Sequence, residues 1–229
     1  MTPRDSATRP GQDKLLAIDS ATTRVVVALG TTAGTLVEAL EWPAGYRHGE
    51  TLLPAIAGLL DRLAIDRASI AGIVVGTGPG AFTGLRVGIA TAKGLAHGLG
   101  VPIVGVSTAD ALLANSPIDA ALLLPAGPAD RLVTRRGGPA RLLPAREEPD
   151  DVAADRLVAI DLPDRAPAAA LERGELARAR LGAALITQGA TRLGDGNGDD
   201  IAAVVPEYVT LPRGVQARGG EIEWSRDPR

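Results

Sequence analysis

Hydrophobic and polar positions follow two different periods along the first half of the chain. Residues 15–18 and 24–29 are short apolar runs, rich in β-branched side chains, separated by the polar stretch Asp19-Ser20-Ala21-Thr22-Thr23. This predicts two paired strands around a turn, with residues 35–42 as a third. The period then changes. Leu52, Ile56, Leu59, Leu60 and Leu63 recur at helical spacing. A helix is therefore expected to open at Thr51, with Pro54 tolerated in its first turn. Residues 70–76 form a short buried strand. A glycine-rich loop follows, then a helix over 83–98 and a strand over 101–106. A short helix over 108–114 can be capped by Ser107. This order predicts an α/β protein with a mixed sheet flanked by helices.

The second half is less regular. Residues 120–124, 131–135 and 156–160 are predicted strands, and 137–151 a Pro-rich, charged connection. Residues 175–187 are a helix candidate rich in Ala and Arg. Residues 194–200 form a flexible acidic turn, and 201–209 an apolar closing segment. No internal repeat is visible. The expected organisation is a disordered tail at 1–13, an N-terminal lobe at 14–115, a smaller C-terminal lobe at 116–211 and a tail at 212–229.

Composition narrows the function classes. Of 229 residues, 45% are apolar and only 2% aromatic, so the core is built from Leu, Val, Ile and Ala. With 24 basic and 27 acidic residues the net charge is −3, unlike the basic face of an electrostatic nucleic-acid binder. Cysteine is absent, which excludes disulfides, thiolate metal sites and a Cys nucleophile. No signal-peptide core opens the chain, and no apolar run approaches the roughly 18 residues that would span a membrane. A soluble, cytoplasmic protein without membrane partners is expected.

The densest candidate chemistry is Gly76-Thr77-Gly78-Pro79-Gly80-Ala81-Phe82-Thr83-Gly84-Leu85-Arg86-Val87-Gly88. A strand, a Gly-rich turn and a helix can bring an anion to free helix N–H groups. The same glycines serve when a helix must pack tightly on a sheet. The loop is not a P-loop, because Leu85 and Arg86 follow Gly84 where Lys and Ser/Thr would stand. It does not match the dinucleotide fingerprint either. Gly78, Gly80, Thr83 and Arg86 are candidates for contact with a phosphate or carboxylate; for Arg86 the plainer reading is an ion pair. Asp19, at the end of the first strand, could help hold metal and phosphate as in actin-like kinases. Its turn lacks glycine, which favours an Asx-turn instead. His48 and His97, the only two histidines, have no metal-site spacing. No catalytic or metal-binding residue is assigned.

Glycine and alanine recur every four residues at Gly84, Gly88, Ala92 and Ala96. Helix-interior glycine costs about 1 kcal/mol relative to alanine, so this ridge predicts close helix approach. Leu52, Leu53, Ile56, Leu59 and Leu60 span more than one helical face. Together with Gly84, Gly88 and Ala92 they are the expected partner surface.

Four segments carry a family resemblance. Leu16-Ala17-Ile18-Asp19-Ser20-Ala21-Thr22, the run from Gly78 to Gly88, Ala92-Lys93-Gly94-Leu95-Ala96 and Val101-Pro102-Ile103-Val104-Gly105-Val106-Ser107 resemble the TsaB (YeaZ) family. Coverage is good over residues 14–115, and Pro206-Glu207-Tyr208-Val209 resembles the family's closing segment. Residues 120–198 match poorly. Ala126-Gly127-Pro128-Ala129-Asp130 stands where members often carry Asp-Ala-Arg.

The resemblance implies an actin-like ATPase (ribonuclease H-like) fold of two lobes. It also implies a role in the modification of tRNA adenosine 37 to threonylcarbamoyladenosine. There a TsaB-like chain pairs with the catalytic subunit TsaD, works with the ATPase TsaE, and meets tRNA through the complex. The catalytic relative has a Gly-Val-Asn-His-x-x-x-His run whose histidines bind metal. Here Thr108 and Leu112 stand at those two positions, which implies a non-catalytic partner. No cofactor is required by this chain, although a nucleotide at the partner interface is compatible with the loop. The same patch could pair with itself as a homodimer. The alternatives are a nucleotide-binding actin-like enzyme (ATPase, phosphotransferase or peptidase-like) and a direct tRNA-binding module. The acidic balance and scarcity of aromatics oppose the last as a sole role.

Overall fold

The computed structural model describes residues 11–43, 45, 48–145, 147–196, 198–209, 215–218 and 221–224. Three strands open it: β1 (Lys14–Asp19), β2 (Arg24–Thr31) and β3 (Leu36–Pro43). Helix α1 (His48–Arg62), strand β4 (Ile70–Gly76), helix α2 (Phe82–Leu99), strand β5 (Ile103–Val106) and the short helix α3 (Thr108–Leu113) follow. The sheet order is β3-β2-β1-β4-β5. β1 runs antiparallel to β2 and parallel to β4, and β4 is parallel to β5.

β1, β2 and β4 read as continuous apolar runs because both faces of this sheet are covered. Leu16, Ile18, Val25, Val27, Ile73 and Val75 face one way, toward α1 and α2. Leu15, Ala17, Val26, Ala28 and Val74 face the other. That second face is closed by α5 (Leu181–Gly194), which comes from far down the sequence.

The second sheet contains β6 (Ala121–Ala126), β7 (Asp130–Arg135), β8 (Arg141–Leu143) and β9 (Leu157–Ala159), in the order β8-β7-β6-β9. β6 is antiparallel to β7 and parallel to β9. This repeats the β3-β2-β1-β4 order of the first sheet. The repeat was invisible in the sequence because it is one of connection and pairing, not of residues. The whole is the actin-like, ribonuclease H-like architecture in two lobes. One apolar cluster joins the sheets, running from Leu15 and Val104 through Leu113 and Leu185 to Leu122 and Val158. Each fully buried Leu or Ile in it is worth about 1.5–3 kcal/mol.

Several expectations are corrected. One helix was expected over 175–187. Instead α4 (Ala168–Ala179) and α5 meet at Arg180, whose φ of −102° and ψ of −3° turn the chain between them. Residues 181–209 were assigned to the second lobe, but α5 lies on the first sheet, and Glu207 N donates to Thr77 O at 2.8 Å. The connection at 137–151 contains β8. At the start, residues 1–10 lie outside the described residues, but Asp13 N already donates to Ser69 O at 3.1 Å. In the expected C-terminal tail, β10 (Val215–Arg218) and β11 (Glu221–Trp224) pair antiparallel. Alternating apolar residues around Gly219-Gly220 were a hairpin signal in the sequence. Among the described residues, no helix is long and apolar enough to cross a membrane.

Candidate functional site

The C-terminal ends of β1 and β4 come together, and what meets there is a backbone junction. Asp19 ends β1 and is fully buried. Its Oδ1 accepts from Ala21 N at 2.9 Å, an Asx-type turn, and its Oδ2 accepts from Thr108 Oγ1 at 2.6 Å. Thr108 Oγ1 in turn accepts from Gly78 N at 3.0 Å. Gly78 O accepts from Thr108 N at 2.8 Å. Asp19, Gly78 and Thr108 thus form a closed hydrogen-bonded unit across β1, the loop and α3.

The loop sits against the β1–β2 turn with no space for a side chain. A Cβ on Gly76 would fall under 3.0 Å from both Asp19 Oδ2 and Thr108 Oγ1. One on Gly80 would do the same to Ala21 O, and one on Gly88 to Ser20 Oγ. Ala81 N donates to Ala21 O at 2.7 Å, and Ser20 Oγ to Gly84 O at 2.8 Å. Gly78 takes a φ of +100° and precedes a cis peptide bond to Pro79. The two backbones are in direct contact, and these glycines are what permits it.

Burial raises the Asp19 carboxyl above its ordinary range. The Thr108 and Ala21 hydrogen bonds and the Arg178 charge pull it down by less. The folded state therefore holds this proton more tightly than the unfolded chain. The stability linked to it is complete below the ordinary carboxylate range and is lost as pH rises through the raised pKa. Asp19→Asn removes that loss and keeps an acceptor for Ala21 N. Its urea midpoint relative to the parent should climb as pH rises above the ordinary carboxylate range. Asp19→Ala strands two donors and should lose roughly 1–3 kcal/mol throughout. A constant difference between Asn and parent across this range would refute the assignment.

A second junction closes the cleft between the lobes. Asp161 follows β9 with a φ of +57°. Its carboxylate accepts from Thr23 N and Thr23 Oγ1, both at 2.7 Å, and from Arg178 Nη2 at 2.7 Å. Arg178, on α4, is only 5% exposed. It also reaches Thr22 Oγ1 at 3.4 Å and lies 3.9 Å from Glu41. The turn after β1 is thereby clasped to the second lobe. Asp161 and Arg178 were not found from sequence, where nothing marked one arginine among many.

Arg86 pairs with no acid among the described residues. Its Nε donates to Tyr208 Oη at 2.9 Å, and its guanidinium stacks over Phe82 at 3.8 Å. Phe82 and Tyr208 lie 5.0 Å apart. The neighbouring Glu207 carboxyl is raised, first by burial and then by Asp110. Thr83 is exposed at the start of α2. Asp19, Gly78 and Gly80 therefore meet in one junction, while Thr83 and Arg86 lie outside it on α2. Among the described residues, no three His, Asp or Glu side chains gather as a metal site. His97 is exposed near the end of α2, and the His48 side chain lies outside the described residues.

The expected partner surface is corrected in part. Leu52, Ile56 and Leu59 are 1%, 4% and 0% exposed and fill the core beneath α1. Gly84, Gly88 and Ala92 are likewise buried on the sheet-facing side of α2. Six of the eight residues thus support the chain's own sheet. Leu53 is 52% exposed and Leu60 half-buried. The outward ridge of α2 is instead Ala90, Gly94 and His97. A Cβ on Gly58 of α1 or on Gly94 would meet nothing within 4 Å.

These features define a protein of the actin-like fold class whose β1 turn and glycine loop are packed together. Sequence comparison gives the family. Residues 43–160 match the family model described as TsaD, tRNA N6-adenosine threonylcarbamoyltransferase. The chain belongs to this family, on its TsaB (YeaZ) side. It is 39% identical over 95 residues to the tRNA threonylcarbamoyladenosine biosynthesis protein TsaB of Escherichia coli, covering 42% of this chain and 40% of that protein. It is 38% identical over 99 residues to an uncharacterised Mycobacterium tuberculosis protein, covering 43% of this chain and 47% of that one. The chain thus spans about half the length of the curated relatives it matches. YeaZ from Pseudomonas aeruginosa superposes with a TM-score of 0.66 at 24% identity, covering 86% of this chain and 99% of that one, and so shares the fold.

Proposed function

We propose that this chain is a non-catalytic partner subunit in the biosynthesis of threonylcarbamoyladenosine at position 37 of tRNA. In this reading it works in the cytoplasm, holds a TsaD-like catalytic subunit in its active state, and meets a TsaE-like ATPase and tRNA through the complex. Alone, it is open to homodimer formation through the same face. The observation that carries the reading is the use made of Thr108 and Leu112. Thr108 is fully buried and bound to Asp19, and Leu112 is 2% exposed in the apolar core. Neither side chain is available to a metal. The one buried carboxylate of the junction is occupied by protein donors.

The partner surface in this proposal is the outward side of α1 and α2, centred on Leu53 and the Ala90–Gly94 ridge. Glycines that no internal neighbour requires cost the helix about 1 kcal/mol each, and close approach by a partner helix offsets that cost. Purified chain, TsaD, TsaE and tRNA, supplied with threonylcarbamoyl-adenylate as the group donor and with ATP, should form threonylcarbamoyladenosine together, and the chain alone should turn over neither ATP nor peptide. Leu53→Asp puts an unpaired charge into the interface. It should weaken TsaD binding by at least about a hundredfold, or roughly 2.7 kcal/mol, without changing the melting temperature. A Leu53→Asp protein that folds and binds TsaD as the parent does places the interface elsewhere. Metal-dependent turnover by the pure chain overturns the non-catalytic reading.

A further inference from the structure

A groove lined by none of the junction residues and by none of α1 or α2 has no role in the function proposed above. It lies between the end of α3 and the side of α4 and encloses about 150 Å³. The floor is apolar, with Leu112, Ala120, Val158 and Ala177 all buried. Leu176 stands on the rim and is 62% exposed in the middle of a helix.

Three guanidinium groups surround this apolar floor: Arg156, Arg173 and Arg180. Arg156 is matched by Asp119 at 3.2 Å and Asp155 at 3.0 Å. Arg173 is held by carbonyls, Leu157 O at 2.6 Å and Ala154 O at 2.7 Å, which fix its plane without neutralising it. Arg180 has no carboxylate partner among the described residues. Of the acids of α4, Glu175 faces Arg178 at 3.7 Å, and Glu172 forms no ion pair with these arginines among the described residues. Two cations therefore flank an apolar slot large enough for one aliphatic side chain.

We propose that this groove docks a peptide segment of a protein partner, with an aliphatic anchor in the slot and flanking carboxylates on Arg173 and Arg180. An apolar anchor beside charge-assisted pairs is the arrangement of an energetic interface centre. A phosphodiester backbone would gain from the arginines but nothing from Leu176 or the floor, and the chain's net charge of −3 does not favour it.

The test uses the full chain and a fluorescein-labelled peptide, Ser-Asp-Leu-Glu-Leu-Asp-Ser, followed by anisotropy. Saturable binding is expected. Arg180→Glu and Leu176→Asp, both at exposed positions, should each weaken it at least about tenfold, about 1.4 kcal/mol, with unchanged melting temperature. If Leu176→Asp fails to fold, Arg180→Glu alone decides. The absence of saturable binding, equal binding of a peptide with lysines replacing the acids, or indifference to Arg180→Glu overturns the proposal. So does a labelled single-stranded oligonucleotide that binds in the peptide's place and is released by Arg180→Glu. Self-association of the free protein that both substitutions abolish would assign the groove to a second copy and likewise overturn it.

Discussion

Arg178→Ala should separate the two lobes at the cleft and lower stability by about 3–5 kcal/mol, the usual cost of removing one partner of a buried ion pair. For a chain of this size the melting midpoint then falls by on the order of 10 °C. The size of the effect follows from what is left behind. Asp161 keeps its bonds to Thr23 but loses its only close cation among the described residues, at 2.7 Å. Glu41 retains Arg24. Asp161→Asn tests the same junction from the other side. Asparagine tolerates the left-handed φ of this position, but it has one acceptor oxygen where three donors converge. A double-mutant cycle of Arg178→Ala with Asp161→Ala should give a coupling of roughly 0.5–3 kcal/mol. An Arg178→Ala protein melting within a degree of the parent would mean that the shared apolar core alone joins the lobes.

The first lobe was legible in the sequence because its signals are local. Strands β1, β2 and β4 are short apolar runs bounded by turn residues, and α1 carries a helical stripe. Ser107 caps α3, accepting from Asp110 N at 3.3 Å. The second lobe was less legible because its determinants are tertiary. β8 is three residues long, Arg141–Leu143, and forms only against β7. Helix α5 looks like a continuation of α4 until the first sheet is present to receive it.

The partner surface shows the same limit. Helical spacing identified an apolar stripe on α1 but not which stripe the sheet would claim, so Leu52, Ile56 and Leu59 were read outward when only Leu53 is. Arg86 is similar. The sequence offered it an acid or a ligand, and the fold supplied Tyr208 from 122 positions away. Asp161 and Arg178 act only once both lobes are assembled.

The glycine loop makes the other large prediction. Gly80→Val should lose at least about 3 kcal/mol, the upper end of ordinary overpacking costs. The reason is the identity of the atom that would be struck. At Gly80 it is Ala21 O, a backbone carbonyl that already accepts from Ala81 N at 2.7 Å. No rotamer change removes it, so the β1–β2 turn and the loop must move apart. Gly76→Ala should be comparably harmful, because its Cβ would enter the space of Asp19 Oδ2 and Thr108 Oγ1, both buried. Gly94→Ala is the internal contrast. Its Cβ meets nothing within 4 Å, and alanine is the better helix former by about 1 kcal/mol. That variant should melt above the parent while binding TsaD less well, if the α2 ridge is the partner face. Thermal melts of the three variants separate glycine kept for packing from glycine kept for a ligand. Should Gly80→Val melt like the parent and instead release a bound nucleotide, the loop is a phosphate site and the junction described here is not its purpose.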